Sequence, residues 1–189
     1  MLFAAAMPLL PKEADLFPDD LFALTADSFP WHVTHVRSRQ EKVLARRLLD
    51  QQIPFYLPQV EHVSERSSRR FRSYVPLFPG YVFLRGDARG RDVALRSGVT
   101  VRIIEVEDQD LLGAQLAQIR RLQLAGASFE VYEDLLPDDV VTIMKGPFSG
   151  YSGVVVRSAR GDRLVVSVSL LRKNLAVEFE RPVLRRAKR

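Results

Sequence analysis

The 189-residue chain contains no cysteine, one tryptophan and three histidines. The lack of cysteine excludes a disulfide framework, a thiol nucleophile and thiolate zinc sites, and it points to a reducing compartment. His32 and His35 stand three apart in a segment that reads as a strand, so they face opposite ways and cannot pair as metal ligands. No Walker or G-x-G-x-x-G loop occurs, no paired carboxylates fall at a strand-end cleft, and Ser149 lies in a glycine-flanked turn without a placed base. The expectation is a protein that is not an enzyme and carries no metal or cofactor. Long apolar runs are missing too. The opening MLFAAAMPLLP has no basic flank and is broken by proline, which makes it too short for a membrane span and a poor signal peptide. A cytoplasmic monomer with no membrane contact is expected.

What is present is an ordinary globular composition, 47% hydrophobic and 27% charged, with the charge unevenly placed. Residues 1–30 hold one lysine against Glu13, Asp15, Asp19, Asp20 and Asp27. Residues 31–124 hold 16 basic and 10 acidic groups, and residues 125–189 hold 11 and 8. A basic body behind an acidic leader suggests a polyanionic partner.

Residues 1–29, with three prolines and no sustained period, read as a flexible acidic leader. Trp31–Val36 reads as a strand and Ser38–Gln52 as a helix, with Ser38 as N-cap and Glu41 at the capping-box spacing. Further strands are expected over PFYLPQVEHV (one strand, or two broken at Pro58), YVFLRG and VTVRIIEV. Helices are expected over GRDVALRSG and over DQDLLGAQLAQIRRLQLA behind an aspartate. SERSSRRFRSYV has a Ser-Ser tip between charged arms and suggests an exposed hairpin or loop. This order predicts an α+β fold with helices packed on an antiparallel sheet over residues 30–124. Residues 125–136 lose periodicity and read as a linker. The short runs VVTIM, YSGVVVR, RLVVSVSL and LAVEFE then predict a small C-terminal β-barrel over 137–185, before a basic tail at 186–189.

PLFPGYVFL, residues 76–84, poses the sharpest question. Phe78-Pro79-Gly80-Tyr81 fits a type II turn, with Pro second and Gly supplying φ > 0 third, which brings Phe78 and Tyr81 together. These rings either plug the core or form an exposed anchor. Among the basic groups, Arg66, Arg69, Arg70 and Arg72 surround Phe71, and Arg39, Lys42 and Arg46 align along one helix face. Guanidinium forks suit phosphate oxygens and a nearby aromatic suits an unpaired base, although a solvated loop that protects a strand edge would look the same.

Taken together, Trp31 opening the first strand, Gln40-Glu41, Leu57-Pro58, Leu77–Val82 (LFPGYV), Gly98-Val99 and the later GPFSGYSGVVV (Gly146–Val156) resemble the NusG-type transcription elongation factors. That family includes specialised RfaH-type paralogues, and the resemblance covers about residues 30–184. It implies an amino-terminal NGN domain followed by a KOW barrel of SH3-like type. It also implies that the corner docks on the clamp coiled coil of RNA polymerase, with Phe78, Pro79, Tyr81 and Trp31 as contact residues. The arginine-rich segment would then lie beside non-template DNA or nascent RNA at the bubble. The factor would hold the clamp closed and suppress pausing or termination.

The resemblance further implies that the KOW domain recruits Rho or a ribosomal protein, with Phe148, Leu171 and Arg172 facing the partner. Here Leu171, Arg172 and Lys173 stand where the family has Phe-Gly-Arg, and Ala176 replaces a proline. These departures suggest an operon-specific antiterminator, while a general factor or an RNA-binding or ribosome-binding KOW module remain the alternatives.

Overall fold

Alternation of apolar and polar residues sets the first half of the chain. The computed structural model describes residues 12–66 and 69–126, Leu171, and the strands Phe129–Tyr132, Val140–Ile143, Ser152–Ser158, Gly161–Val168, Lys173–Glu178 and Leu184–Arg186; for residues 63–71 and those later strands the description is of the backbone. The chain divides into two compact units, Met1–Glu105 and Val106–Arg189.

In the first unit the elements are β1 (Leu16–Phe17), a 3-10 turn (Leu21–Ala23), β2 (Trp31–Val36), α1 (Glu41–Asp50), β3 (Phe55–Tyr56), β4 (Gln59–Arg66), β5 (Arg69–Pro76), β6 (Tyr81–Arg85), α2 (Ala88–Leu95) and β7 (Thr100–Ile104). Five of the strands form one antiparallel sheet in the order β1-β3-β6-β2-β7. Period-2 alternation gives this sheet two apolar faces. On one face α1 and α2 bury Leu44, Ala45, Leu48 and Ala94 against Val36, Phe55, Val82 and Leu84. The apolar residues of α1 recur at helical spacing, which is why the helix lies flat on the sheet. α2 starts at Asp87, whose carboxylate accepts from the Arg89 and Gly90 amides. The opposite face carries Trp31, Val33, Tyr56 and Phe83, all essentially buried.

Two expectations fail in this unit. Ser38 does not cap α1: the N-cap is Gln40, without a side-chain cap, and Arg39 before it takes φ 63°. That left-handed residue turns the chain between Ser38 and the helix, α1 starts without a side-chain cap, and the Glu41 carboxylate bonds elsewhere. The leader is not a free segment where it is described. Leu16 and Phe17 pair with Tyr56 and Phe55, Leu21 is fully buried, and the Phe22 ring lies 5.3 Å from Tyr56 and 5.8 Å from Trp31. Four apolar side chains at irregular spacing are enough to dock it, because they fit a two-residue strand and one tight turn and need no longer period.

The second unit contains α3 (Gln109–Leu124), β8 (Phe129–Tyr132), β9 (Val140–Ile143), β10 (Ser152–Ser158), β11 (Gly161–Val168), β12 (Lys173–Glu178) and β13 (Leu184–Arg186). The Asp108 carboxylate caps α3 by accepting from the Leu111 amide at 2.8 Å. Leu112, Leu116, Ile119 and Leu122 form the helix's buried stripe. The six strands form an antiparallel sheet in the order β13-β9-β10-β11-β12-β8. Strand β8 falls inside the segment expected as a linker and pairs Phe129 to Tyr132 with Val177 to Asn174. Phe-Glu-Val-Tyr is strand-favouring in composition but too short to reveal a period. β13 likewise takes Arg186 out of the expected tail. α3 falls within this second unit, whereas the sequence suggested a boundary after residue 124.

Candidate functional site

Residues 78–81 form the expected turn. Tyr81 N donates to Phe78 O at 3.1 Å and Gly80 sits at φ 85°, the left-handed value that a type II turn demands of its third residue. A second bond fixes the turn to the helix. The buried Glu41 carboxylate, in the first turn of α1, accepts the Gly80 amide at 2.6 Å. Val36 N also donates to Gly80 O at 2.8 Å, so the Gly80 amide is held from the helix and its carbonyl from the sheet.

The aromatic residues of this corner do not form one platform. Phe78 is 2% exposed and packs edge-on against Phe83 at 5.6 Å. Tyr81 is half-exposed and lies over the His35 ring at 5.1 Å, while Pro79 is exposed. Trp31, expected at the surface, is 1% exposed, enclosed by Phe22 and by the Arg85 guanidinium 4.8 Å above its ring. Alternation explains both burials: Trp31 and Phe83 belong to the face that the leader covers, and Phe78 follows Phe83 inward. What the corner offers to solvent is therefore Pro79, the Gly80 backbone and the Tyr81–His35 pair.

Arg85 was not foreseen. It is 5% exposed, and its Nε, Nη1 and Nη2 donate to the carbonyls of Phe29, Leu21 and Leu24, the first two at 2.9 Å. Burial lowers its affinity for the proton relative to a free guanidinium. The signal was there in YVFLR, where Tyr81, Phe83 and Arg85 alternate onto one face of a strand, so that an arginine points where apolar residues do.

The basic segment is a hairpin. β4 and β5 pair from Gln59↔Pro76 to Arg66↔Arg69 and form a two-stranded sheet separate from the main one. Eight-residue strands give an arm about 25 Å long. Arg66, Arg69, Arg70 and Arg72 all fall on its last four rungs, with Phe71 opposite Ser64. Arg72 is exposed and pairs with Glu61 at 3.3 Å. At the base, Leu77 N donates to Pro58 O, and Lys42 Nζ of α1 donates to Tyr74 O at 2.7 Å.

Of the helical ridge, then, Lys42 braces the hairpin, Arg46 pairs with Glu13 at 3.2 Å, and Arg39 stands exposed at its turn. In the second unit Leu171 is buried at 9% exposure, a packing residue more than a contact, while Phe148 and Arg172 lie outside the described residues. Among the described residues no three His, Asp or Glu side chains group as metal ligands, and no helix is long and apolar enough to cross a membrane.

Residues 29–111 match the family model described as NusG, transcription termination factor nusG. No curated protein matches the chain. Among solved structures it is similar to Thermotoga maritima NusG, described under domain interaction, at 18% identity and a TM-score of 0.45, over 82% of this chain and 95% of that one. It is also similar to a chain of the MjSpt4:Spt5 complex in conformation A, at 16% identity and a TM-score of 0.26, over 82% and 91%. These are loose overlaps; the family match over 29–111 is the specific one, and it spans β2 to the start of α3, with the corner and the hairpin inside it. Residues 29–111 of this chain are thus similar to the NusG family, a match that covers less than half of its 189 residues.

Proposed function

We propose that this chain is a non-enzymatic, cytoplasmic transcription factor that docks on RNA polymerase through the Pro79–Tyr81 corner and lays the β4–β5 hairpin beside single-stranded DNA at the bubble. The observation that carries the reading is the corner itself: a turn pinned by Glu41 and Val36 on a rigid sheet, with Pro79 and Tyr81 turned outward, inside the segment that matches the family. Rigid anchors of this kind concentrate interface energy, because little conformational entropy is lost on docking. The clamp coiled coil is the proposed surface, and Phe78 and Trp31 support the corner from within instead of touching it.

The mechanism needs no covalent step. A factor that binds the closed, elongating polymerase more tightly than the paused one shifts the population towards elongation. A preference of about 1.4 kcal/mol gives a tenfold shift. Residues 30–124 carry this action, and the module over 137–185 serves a partner of its own. The departures at Leu171-Arg172-Lys173 favour an operon-specific antiterminator. The family's description as a termination factor favours, as a second reading, a general factor recruiting Rho or a ribosomal protein.

The test is an elongation assay with purified polymerase on a template with a strong pause. The full chain is expected to shorten the pause, and a Pro79→Ala/Tyr81→Ala variant to lose that effect. Unchanged or longer pauses would contradict the reading, and release that depends on added Rho would favour the general factor.

A further inference from the structure

The segment before residue 29 lies outside the family match, yet from Lys12 onwards it is built into the first unit. It is fixed at three places. Leu57 N donates to Asp15 O beside the Leu16↔Tyr56 and Phe17↔Phe55 pairs, Gln59 Nε2 donates to Glu13 O at 3.2 Å, and Arg85 grips the carbonyls of Leu21, Leu24 and Phe29. Residues 12–29 carry one lysine against five carboxylates. Their path brings Glu13 to Arg46 at 3.2 Å, with the Glu13 side chain only 24% exposed, and Lys12 to within 5.7 Å of the Tyr74 ring centroid. Tyr74 O is also where Lys42 meets the hairpin. The acidic segment thus lies where the basic ridge of α1 and the base of the arginine-bearing hairpin adjoin.

We infer that residues 12–29 are a built-in competitor that sets Glu13 on Arg46 in the place of a single-stranded DNA phosphate. The inference rests on the proposed nucleic-acid contact. Because the backbone bonds and Arg85 already order the segment, the Glu13–Arg46 pair bears little of the entropy cost that weakens exposed ion pairs. DNA reaching Arg46 must displace a tethered carboxylate instead of free counterions. The hairpin arginines beyond it bind first, and Arg46 engages only a strand that is held there firmly.

The experiment is fluorescence anisotropy of the full chain with labelled oligo(dT) across a salt series, using wild type, Glu13→Gln, Arg46→Gln and the double variant, each checked for an unchanged melting temperature. Glu13→Gln is expected to tighten binding about two- to fivefold at low salt and to steepen the dependence of log K on log salt by about 0.7, the value of one single-strand phosphate contact. Arg46→Gln is expected to abolish both gains. A Glu13→Gln gain that persists in the Arg46→Gln background would reflect net charge alone and overturn the competition. No gain from Glu13→Gln while Arg46→Gln weakens binding would also overturn it, leaving the ridge as a contact. If neither substitution changes binding, the contact at Arg46 fails and the competitor with it.

Discussion

The Glu41 carboxylate and the Gly80 amide, 39 residues apart, meet at 2.6 Å and join the start of α1 to the turn that presents Pro79 and Tyr81. Both groups are drawn into this bond by what surrounds them. Glu41 is 5% exposed, so its charge needs a donor, and Gly80 is held at φ 85° with its amide pointing at the helix. The first turn of α1 adds the favourable end of the helix dipole.

Glu41→Ala is therefore expected to cost about 1–3 kcal/mol, the penalty for leaving a buried amide unsatisfied. Glu41→Gln keeps an acceptor oxygen and should lose less. Urea unfolding of both variants checks the order. Equal losses would mean that the carboxylate serves the helix and not the turn.

Arg85→Lys should release the segment before Trp31. A lysine cannot fork to three carbonyls, and each hydrogen bond from a charged donor is worth about 1.5–3 kcal/mol. Limited proteolysis is expected to cut the variant between residues 12 and 29 much faster than wild type. Equal cutting rates would show that Leu21 and Phe22 hold the segment without the arginine.

His32 gives the first unit a pH dependence. Burial lowers its proton affinity, an effect that Arg91 reinforces and that the Gly86 carbonyl, bonded at 3.0 Å, and Glu105 oppose. The fold thus favours the neutral ring. As pH falls through about 6.5 the unfolded chain takes up the proton first, so this contribution is complete above that value and is lost below it. His32→Gln, which keeps a donor for Gly86 O, should flatten the fall in melting temperature between about pH 7 and 5. An unchanged slope would assign it to other groups.

The elements with a long period or a strong cap were legible in the sequence. β2 runs over Trp31–Val36 as read, the Pro79-Gly80 turn has its type II hydrogen bond and positive φ, and α3 starts behind Asp108; α2, read over residues 90–98, begins earlier at Ala88 under an Asp87 cap that the reading did not include. What was not legible depends on distant partners. Ser38 and Glu41 had capping-box spacing, but Gly80 claims the carboxylate. Trp31 and Phe78 looked available because a sequence does not say which face of a sheet is covered, and the cover over Trp31 includes Phe22 from a segment with no period at all. Arg85 shares a strand face with Tyr81 and Phe83, but only the folded leader supplies the carbonyls that let it be buried.

The most direct test of the account is the affinity of the full chain for purified RNA polymerase, beside Pro79→Ala/Tyr81→Ala. Phe78 is left intact because it is core, and the variant must keep the wild-type melting temperature. The account predicts tight binding by wild type and a loss of about 30-fold or more in the variant, the effect of removing one anchor worth about 2 kcal/mol. Wild-type binding that the substitutions leave untouched, or no binding at all, would contradict it.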